Sequence, residues 1–334
     1  MRKLAINIFS KLYVLLGLNL LSIRKKRKDG DITVLCFHQV INDKNISYPP
    51  LTIIEFENIL KYLVRHYTII SLLDINDELL KKRFNKPLAI ISFDDGYKDF
   101  ITNALPLVKK YNIKCNLNIV YNAVEKNELI WTQKIHCILE HLFNKDQIFN
   151  FEIDEIKYSI SKKNIANVSN KMILNLFEKN KSEIEDFILK LESKVLTNVS
   201  FTELLNWNNI TTITDYVSIG SHTISHAAFN NKSTLEHLNE EIIDSKIFIE
   251  KKIKKEVEVI ALPNSLYNKN VLDVCCLANY KFILLVEGGY PNFIKYSENC
   301  YLVKRVLIHR NNIYENILDV EHVYYYLKKI IGKG

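Results

Sequence analysis

The sequence predicts an α/β fold built on a parallel sheet, open or closed into a barrel, and three observations carry that prediction. From residue 31 onward, short apolar runs of strand length alternate with amphipathic helical patterns. Several of these runs are continuously apolar, as strands buried on both faces are. The composition is that of a globular chain: of 334 residues, 48% are hydrophobic and 25% charged, with only 8 Gly and 6 Pro. Disordered, collagen-like and low-complexity classes are thereby excluded.

The elements follow in order. ITVLCF (32–37) reads as the first strand. Thr52 and Glu55 form a capping pair ahead of Phe56, Ile59, Leu60 and Leu63, which make a helical stripe. LAIISF (88–93) is a buried strand, a helical segment follows near 99–111, and CNLNIV (115–120) is the next strand. Residues 131–200 break the rhythm: rich in Lys, Asn, Glu and Ile, they read as an inserted helical subdomain. The alternation resumes with helix FTELLNW (201–207), strand YVSIG (216–220) and a long helix opened by Ser233 and Glu236. Strand VEVIAL (257–262), a helix near 269–279, strands KFILLV (281–286) and RVLIH (305–309), and a helix near 316–331 complete the series.

The net charge of +7 belongs to one end of the chain. Residues 1–29 hold eight Lys and Arg against Asp29 alone, so the rest of the chain is neutral overall, and a nucleic-acid-binding face has no support. Residues 4–23 form an apolar stretch interrupted by Asn7, Ser10, Lys11 and Asn19, and RKKRK follows at 24–28. Basic residues downstream and the lack of a small-residue cleavage site oppose a secretory signal. The stretch spans a membrane, lies on it, or is a helix packed on the domain with a solvated charge run. The expectation is a segment, residues 1–30, attached peripherally to an anionic membrane on the cytoplasmic inner face, with the enzyme domain at 31–334. Deleting residues 1–29 is expected to leave that domain folded. Six cysteines without a C-x-x-C pair fit small core residues in a reducing compartment.

Chemistry concentrates where strands end. Asp94, Asp95 and Gly96 close the LAIISF strand, Ser221-His222-Thr223-Ile224-Ser225-His226 follows YVSIG, and Arg305 and His309 bracket the last strand. Two histidines four apart plus a carboxylate from another strand end form a plausible three-ligand set for a divalent ion, with one position left open. The remaining histidines, His66, His136, His141, His237 and His322, are expected at the surface, and Trp131 and Trp207 flank the insertion, where they could stack on a sugar or simply pack.

These motifs resemble those of the polysaccharide deacetylases, the NodB-homology or carbohydrate esterase family 4 group. S-F-D-D-G-Y is similar to their T-F-D-D-G signature and G-S-H-T-I-S-H to their H-S/T-x-x-H signature. V-L-C-F-H-Q-V (34–40), E-I-I-D-S-K-I-F-I-E (241–250) and A-L-P-N-S (261–265) resemble further family segments, with Leu262 for the usual Tyr and Ser265 for Gly. The resemblance implies a distorted (β/α) barrel with a helical insertion, and hydrolysis of N-acetyl groups on an amino sugar. It implies Asp95, His222 and His226 as ligands of a divalent metal, zinc foremost, and Asp94 as general base. It also implies substrate contacts from His38, Pro263, Asn264 and Arg305, with a backbone N–H of the Pro263–Ser265 loop facing the oxyanion. His309 or His38 is the general acid, and Ala261 stands where other members carry the arginine that orients the catalytic Asp. The expected substrate is an N-acetylated oligo- or polysaccharide, free or lipid-linked. Two alternatives stay open: hydrolysis of another amide or ester, and a non-catalytic carbohydrate-binding protein at a membrane.

Overall fold

Two helices precede the sheet in the computed structural model, which describes residues 2–42, 47–143, 148–195, 202–289 and 292–330. They are α1 (Arg2–Leu15) and α2 (Leu18–Asp29); the capped helix expected after Thr52 is α3 (Ile53–His66). The strands are β1 (Ile32–Phe37), β2 (Thr68–Ile69), β3 (Leu88–Phe93), β4 (Cys115–Ile119), β5 (Phe149–Ile153), β6 (Ile156–Ile160), β7 (Val217–Ser221), β8 (Val259–Ala261), β9 (Phe282–Leu285), β10 (Phe293–Ser297), β11 (Cys300–Lys304) and β12 (Val306–Leu307).

The main sheet runs β10-β11-β9-β8-β7-β4-β3-β1-β12, with β2 beside β3. Every pairing in it is parallel except β10 with β11. Only Arg305 separates β11 from β12. The first pairs with β9 and the second with β1, so one run of chain touches both ends of the parallel path. Alternate strand residues divide between two cores. Leu35, Phe37, Ile91 and Phe93 pack on the side of α3, and Val34, Ile90, Ala261 and Leu284 on the other. Burial on both faces is why these strands read as unbroken apolar runs.

The insertion has its own core, formed by Ile135, Leu139, Ile160, Met172, Ile188 and Leu191. It is not wholly helical: helices Trp131–Phe143, Ile165–Leu176 and Lys181–Glu192 accompany the β5–β6 hairpin. The hairpin turns on Asp154 and Glu155, with φ of 49° and 64°, the left-handed pair that a two-residue turn requires. Residues 144–147 and 196–201 of the insertion and its exit lie outside the described residues.

Other local expectations need correction. Asn206 caps a helix at Trp207–Thr211, so 202–206 is not helical, and Leu204 instead bridges to Tyr97. Thr234 caps the long helix, because the Ser233 hydroxyl accepts from Asn230 N–H. The β10–β11 hairpin was not legible, and the last strand shortens to β12. The final helix breaks in two at His322, whose φ is 59°. His136 and His322, expected at the surface, are buried, His136 with its ring nitrogen 2.8 Å from Ser169 Oγ.

The basic run is not all tail. Lys26 is 3% exposed and points under the sheet, 3.1 Å from Glu321, with further bonds to Thr33 Oγ1, Tyr67 Oη and the Val320 carbonyl. Tyr62 and Tyr67 both donate to the same Glu321 carboxylate. Burial pushes the Lys26 ammonium down and the Glu321 charge opposes that shift. α2 is therefore tied to the folded domain through Thr33 of β1 and through Glu321, contacts that the removal of residues 1–29 would break. Lys26→Met should cost about 3–5 kcal/mol, because it leaves a buried carboxylate without its cation. Urea unfolding measures this, and the double variant Lys26→Met/Glu321→Gln should recover most of the loss.

Candidate active site

The strand ends bring four acidic and imidazole groups together. Asp94 and Asp95 follow β3, with the Asp94 N–H bound to the Phe37 carbonyl of β1. Asp95 has φ 78° and Gly96 φ 85°; a left-handed Asp followed by a left-handed Gly makes the turn that presents both carboxylates. His222 leaves β7 with its N–H on the Ile119 carbonyl. Thr223 (φ 67°) and His226 (φ 59°) are also left-handed, so two of the three expected ligand residues occupy strained backbone. Glu241, fully buried, holds the loop by accepting from Ser225 N and Oγ at 2.9 and 2.6 Å, and Trp131 Nε1 donates to the His226 carbonyl at 2.9 Å.

Asp95 Oδ1 lies 3.4 Å from His222 Nε2 and 3.7 Å from His226 Nε2, and the three ligand atoms all fall within 4.8 Å of one another. A tetrahedral ion with bonds of about 2.1 Å has ligand atoms about 3.4 Å apart, so the triad has the right span. His222 Nδ1 donates to the Ala261 carbonyl at 2.7 Å, which turns the lone pair of Nε2 toward Asp95. Asp95 Oδ1 itself is buried and has no hydrogen-bond partner among the described residues. Burial opposes charge on His222, but Asp94 and Asp95 outweigh it and raise its pKa, so the site favours positive charge there. Burial and neighbouring His222 push His226 down to about 3, leaving it neutral as a ligand must be. The residues fit a divalent cation.

Asp94 is held differently. Arg305 donates to both its oxygens, Nη1 to Oδ1 at 2.8 Å and Nη2 to Oδ2 at 2.7 Å, and Asn118 Nδ2 adds a bond to Oδ1 at 2.7 Å. Cys36 Sγ stands 3.4 Å from Oδ2. Burial disfavours the carboxylate, yet Arg305 and His222 hold it well below the usual range. Gly220 is required here, since a Cβ on it would lie 2.1 Å from Asn118 Oδ1.

Arg305 is fully buried beneath Asp94, so its guanidinium faces the carboxylate and Ser92 Oγ and not a substrate; the expected substrate contact is corrected. It occupies the orienting role for which Ala261 has no side chain. His38 lies in the site: one of its ring nitrogens, a carboxylate oxygen of Asp94 and Cys36 Sγ all fall within 4.8 Å of one another. His309 is exposed and follows Ile308, whose N–H donates to the Cys36 carbonyl, so the β1–β12 register sets it level with His38 at the same sheet edge. Of the two, His38 is the one whose ring nitrogen groups with an Asp94 oxygen. In the Pro263–Ser265 turn, Pro263 has no N–H and Ser265 N–H donates to Leu262, so the exposed Asn264 is the residue whose N–H remains available. Ser92, Cys36 and Asn118 carry no expected role in the site: Ser92 reads as part of a polar strand end and Cys36 as a core residue. Polar Asn116 and Asn118 alternating with Cys115, Leu117 and Ile119 in a buried strand were the readable signal.

With this geometry in place, comparison with known proteins gives the class. The polysaccharide deacetylase family model matches residues 81–283, more than half of the chain. The chain belongs to the polysaccharide deacetylase family. It is accordingly a hydrolase of carbon–nitrogen bonds in polysaccharides, and the family implies an N-acetylated polysaccharide as substrate. Among solved structures it is similar to the Streptococcus pyogenes deacetylase PplD in complex with acetate, at 16% identity and TM-score 0.57, over 87% of this chain and 97% of that one. It is also similar to a Bacillus cereus polysaccharide deacetylase at 17% identity and TM-score 0.54, over 87% and 68% of the two chains. IcaB from Ammonifex degensii aligns at 11% identity and TM-score 0.53, over 87% and 97%. None of the curated proteins matches.

Arg305→Met should cost about 3–5 kcal/mol at neutral pH by stranding the Asp94 charge. In the parent the depressed Asp94 pKa contributes stability above the unfolded value, lost as pH falls through the folded one. In the variant burial still opposes the charge while the Arg305 contribution is gone, so the Asp94 pKa moves up from the parent's and acidification costs the variant less. The stability gap between the two, read from urea unfolding at several pH values, should narrow as pH falls.

Proposed function

We propose that the protein is a metal-dependent deacetylase that removes N-acetyl groups from amino sugars of an oligo- or polysaccharide. The observation that carries this reading is the Asp95–His222–His226 triad standing beside an Asp94 held ionised by Arg305. Three N and O ligands at these spacings suit zinc. The bound ion supplies Lewis acidity, polarising the acetamide carbonyl and lowering the pKa of a water molecule.

The chain's own groups do the rest. Asp94 aligns the attacking water and accepts its proton at Oδ2, the oxygen that carries only the weak Cys36 thiol besides Arg305. Arg305 and Asn118 fix the carboxylate so that it cannot rotate away from that position. Asn264 N–H donates to the oxyanion as it develops. His38 protonates the leaving amine, being the imidazole grouped with Asp94, and His309 at the same sheet edge is the alternative donor. The basic run after the apolar stretch supports a place on the inner face of a membrane, where the substrate is the polymer or its lipid-linked precursor.

Acetate release from N-acetylglucosamine oligomers tests the reading. A chelator should abolish release and added zinc should restore it. His38→Gln should lower kcat by about 100-fold or more, whereas His309→Gln should leave it within about 3-fold. Chelator-insensitive release, or the reverse ranking of the two histidines, contradicts the proposal.

A further inference from the structure

α1 and α2 are amphipathic in the inverted sense. Ser10, Tyr13, Asn19 and Lys26 are buried against the folded domain, with Tyr13 Oη 2.6 Å from Ser22 Oγ and Asn19 Nδ2 donating to Tyr62 Oη at 3.2 Å. The outward side carries Leu4, Ile8, Leu12, Leu15, Leu16 and Leu21, with Leu15 and Leu16 each 71% exposed. A helix facing water places these sets the other way round. Contiguous exposed leucines on this scale mark a surface that is covered in use. Next to them on α2, Arg24, Lys25, Arg27 and Lys28 are all exposed, while Lys26 alone turns inward.

We infer that the bent α1–α2 pair is a rigid docking surface for an anionic lipid bilayer, lying in its interface with the leucines in the acyl region and the four outward cations at the headgroups. Charge complementarity selects the occupant: apolar side chains rimmed by cations of one sign match a negatively charged interface. No single described helix is long and apolar enough to cross a membrane, and the two helices together are bent by 68°. Straightening them into a span would lift α1 from helix Ile313–Val320, on which it packs, and set Lys11 in hydrocarbon. The Lys26–Glu321 pair and the Lys26–Thr33 bond fix α2 to the last helices and to β1, so docking also sets the orientation of the active site relative to the bilayer.

Co-sedimentation of the full chain with phosphatidylglycerol/phosphatidylcholine vesicles tests this, with pure phosphatidylcholine vesicles and size-exclusion chromatography alongside. The parent should partition onto the anionic vesicles. Arg24→Gln/Lys25→Gln/Arg27→Gln/Lys28→Gln should weaken partitioning on the order of 100-fold at low salt, a difference that shrinks at high salt. Leu12→Asp/Leu16→Asp, on exposed positions, should abolish it with acetate release from soluble oligomers unchanged. Failure of the parent to bind, or equal binding by parent and both variants, overturns the inference. So does a concentration-dependent dimer that the Leu12→Asp/Leu16→Asp variant dissolves, which would assign the face to a second copy of the chain.

Discussion

The buried ion pair between Asp94 and Arg305 is the constraint on which the site depends. A lone carboxylate at that depth would take up a proton. The two-pronged guanidinium keeps it charged and fixes its plane, and the charge in turn helps raise His222. The two adjacent carboxylates thus differ by environment and not by type. Asp94 has donors on both oxygens, while Asp95 offers an unpartnered Oδ1 to two imidazoles. The proposed division between a proton acceptor and a cation ligand rests on that asymmetry.

The rest of the fold serves to hold this pair. Arg305 sits at the junction of β11 and β12, where the chain leaves β9 and joins β1, so the sheet's own connectivity brings the guanidinium under Asp94. Gly220 yields space for Asn118, which reaches Asp94. The left-handed residues Asp95, Thr223 and His226 store backbone strain, and Glu241 and Trp131 clamp the histidine loop that bears part of it.

How much of this was legible depends on the range of the interactions. Strands β1, β3 and β9 were readable because continuous apolar runs are local, and the D-D-G and H-x-x-x-H motifs because each lies within one turn or loop. The partner of Arg305 was not readable, since Asp94 is 211 residues away and only the sheet order joins them. His309 and His38 both follow strands, so the sequence leaves the acid open between them, and the grouping of His38 with Asp94 is visible only in the folded site. The basic run at 24–28 read as uniform, and only the packing of α2 separates Lys26 from its neighbours. The β5–β6 hairpin was hidden by a helix-like composition, although its two-residue alternation is visible once the Asp154–Glu155 turn is known.

The most direct test of the division between the carboxylates is the metal content of two isosteric variants, measured by elemental analysis beside acetate release. Asp94→Asn should retain the parent's metal content and lose turnover, because Asp94 holds a proton and not the ion. Asp95→Asn should lose metal and turnover together. If Asp94→Asn also emptied the site, Asp94 would be a ligand and the assignment of roles within the pair would be wrong.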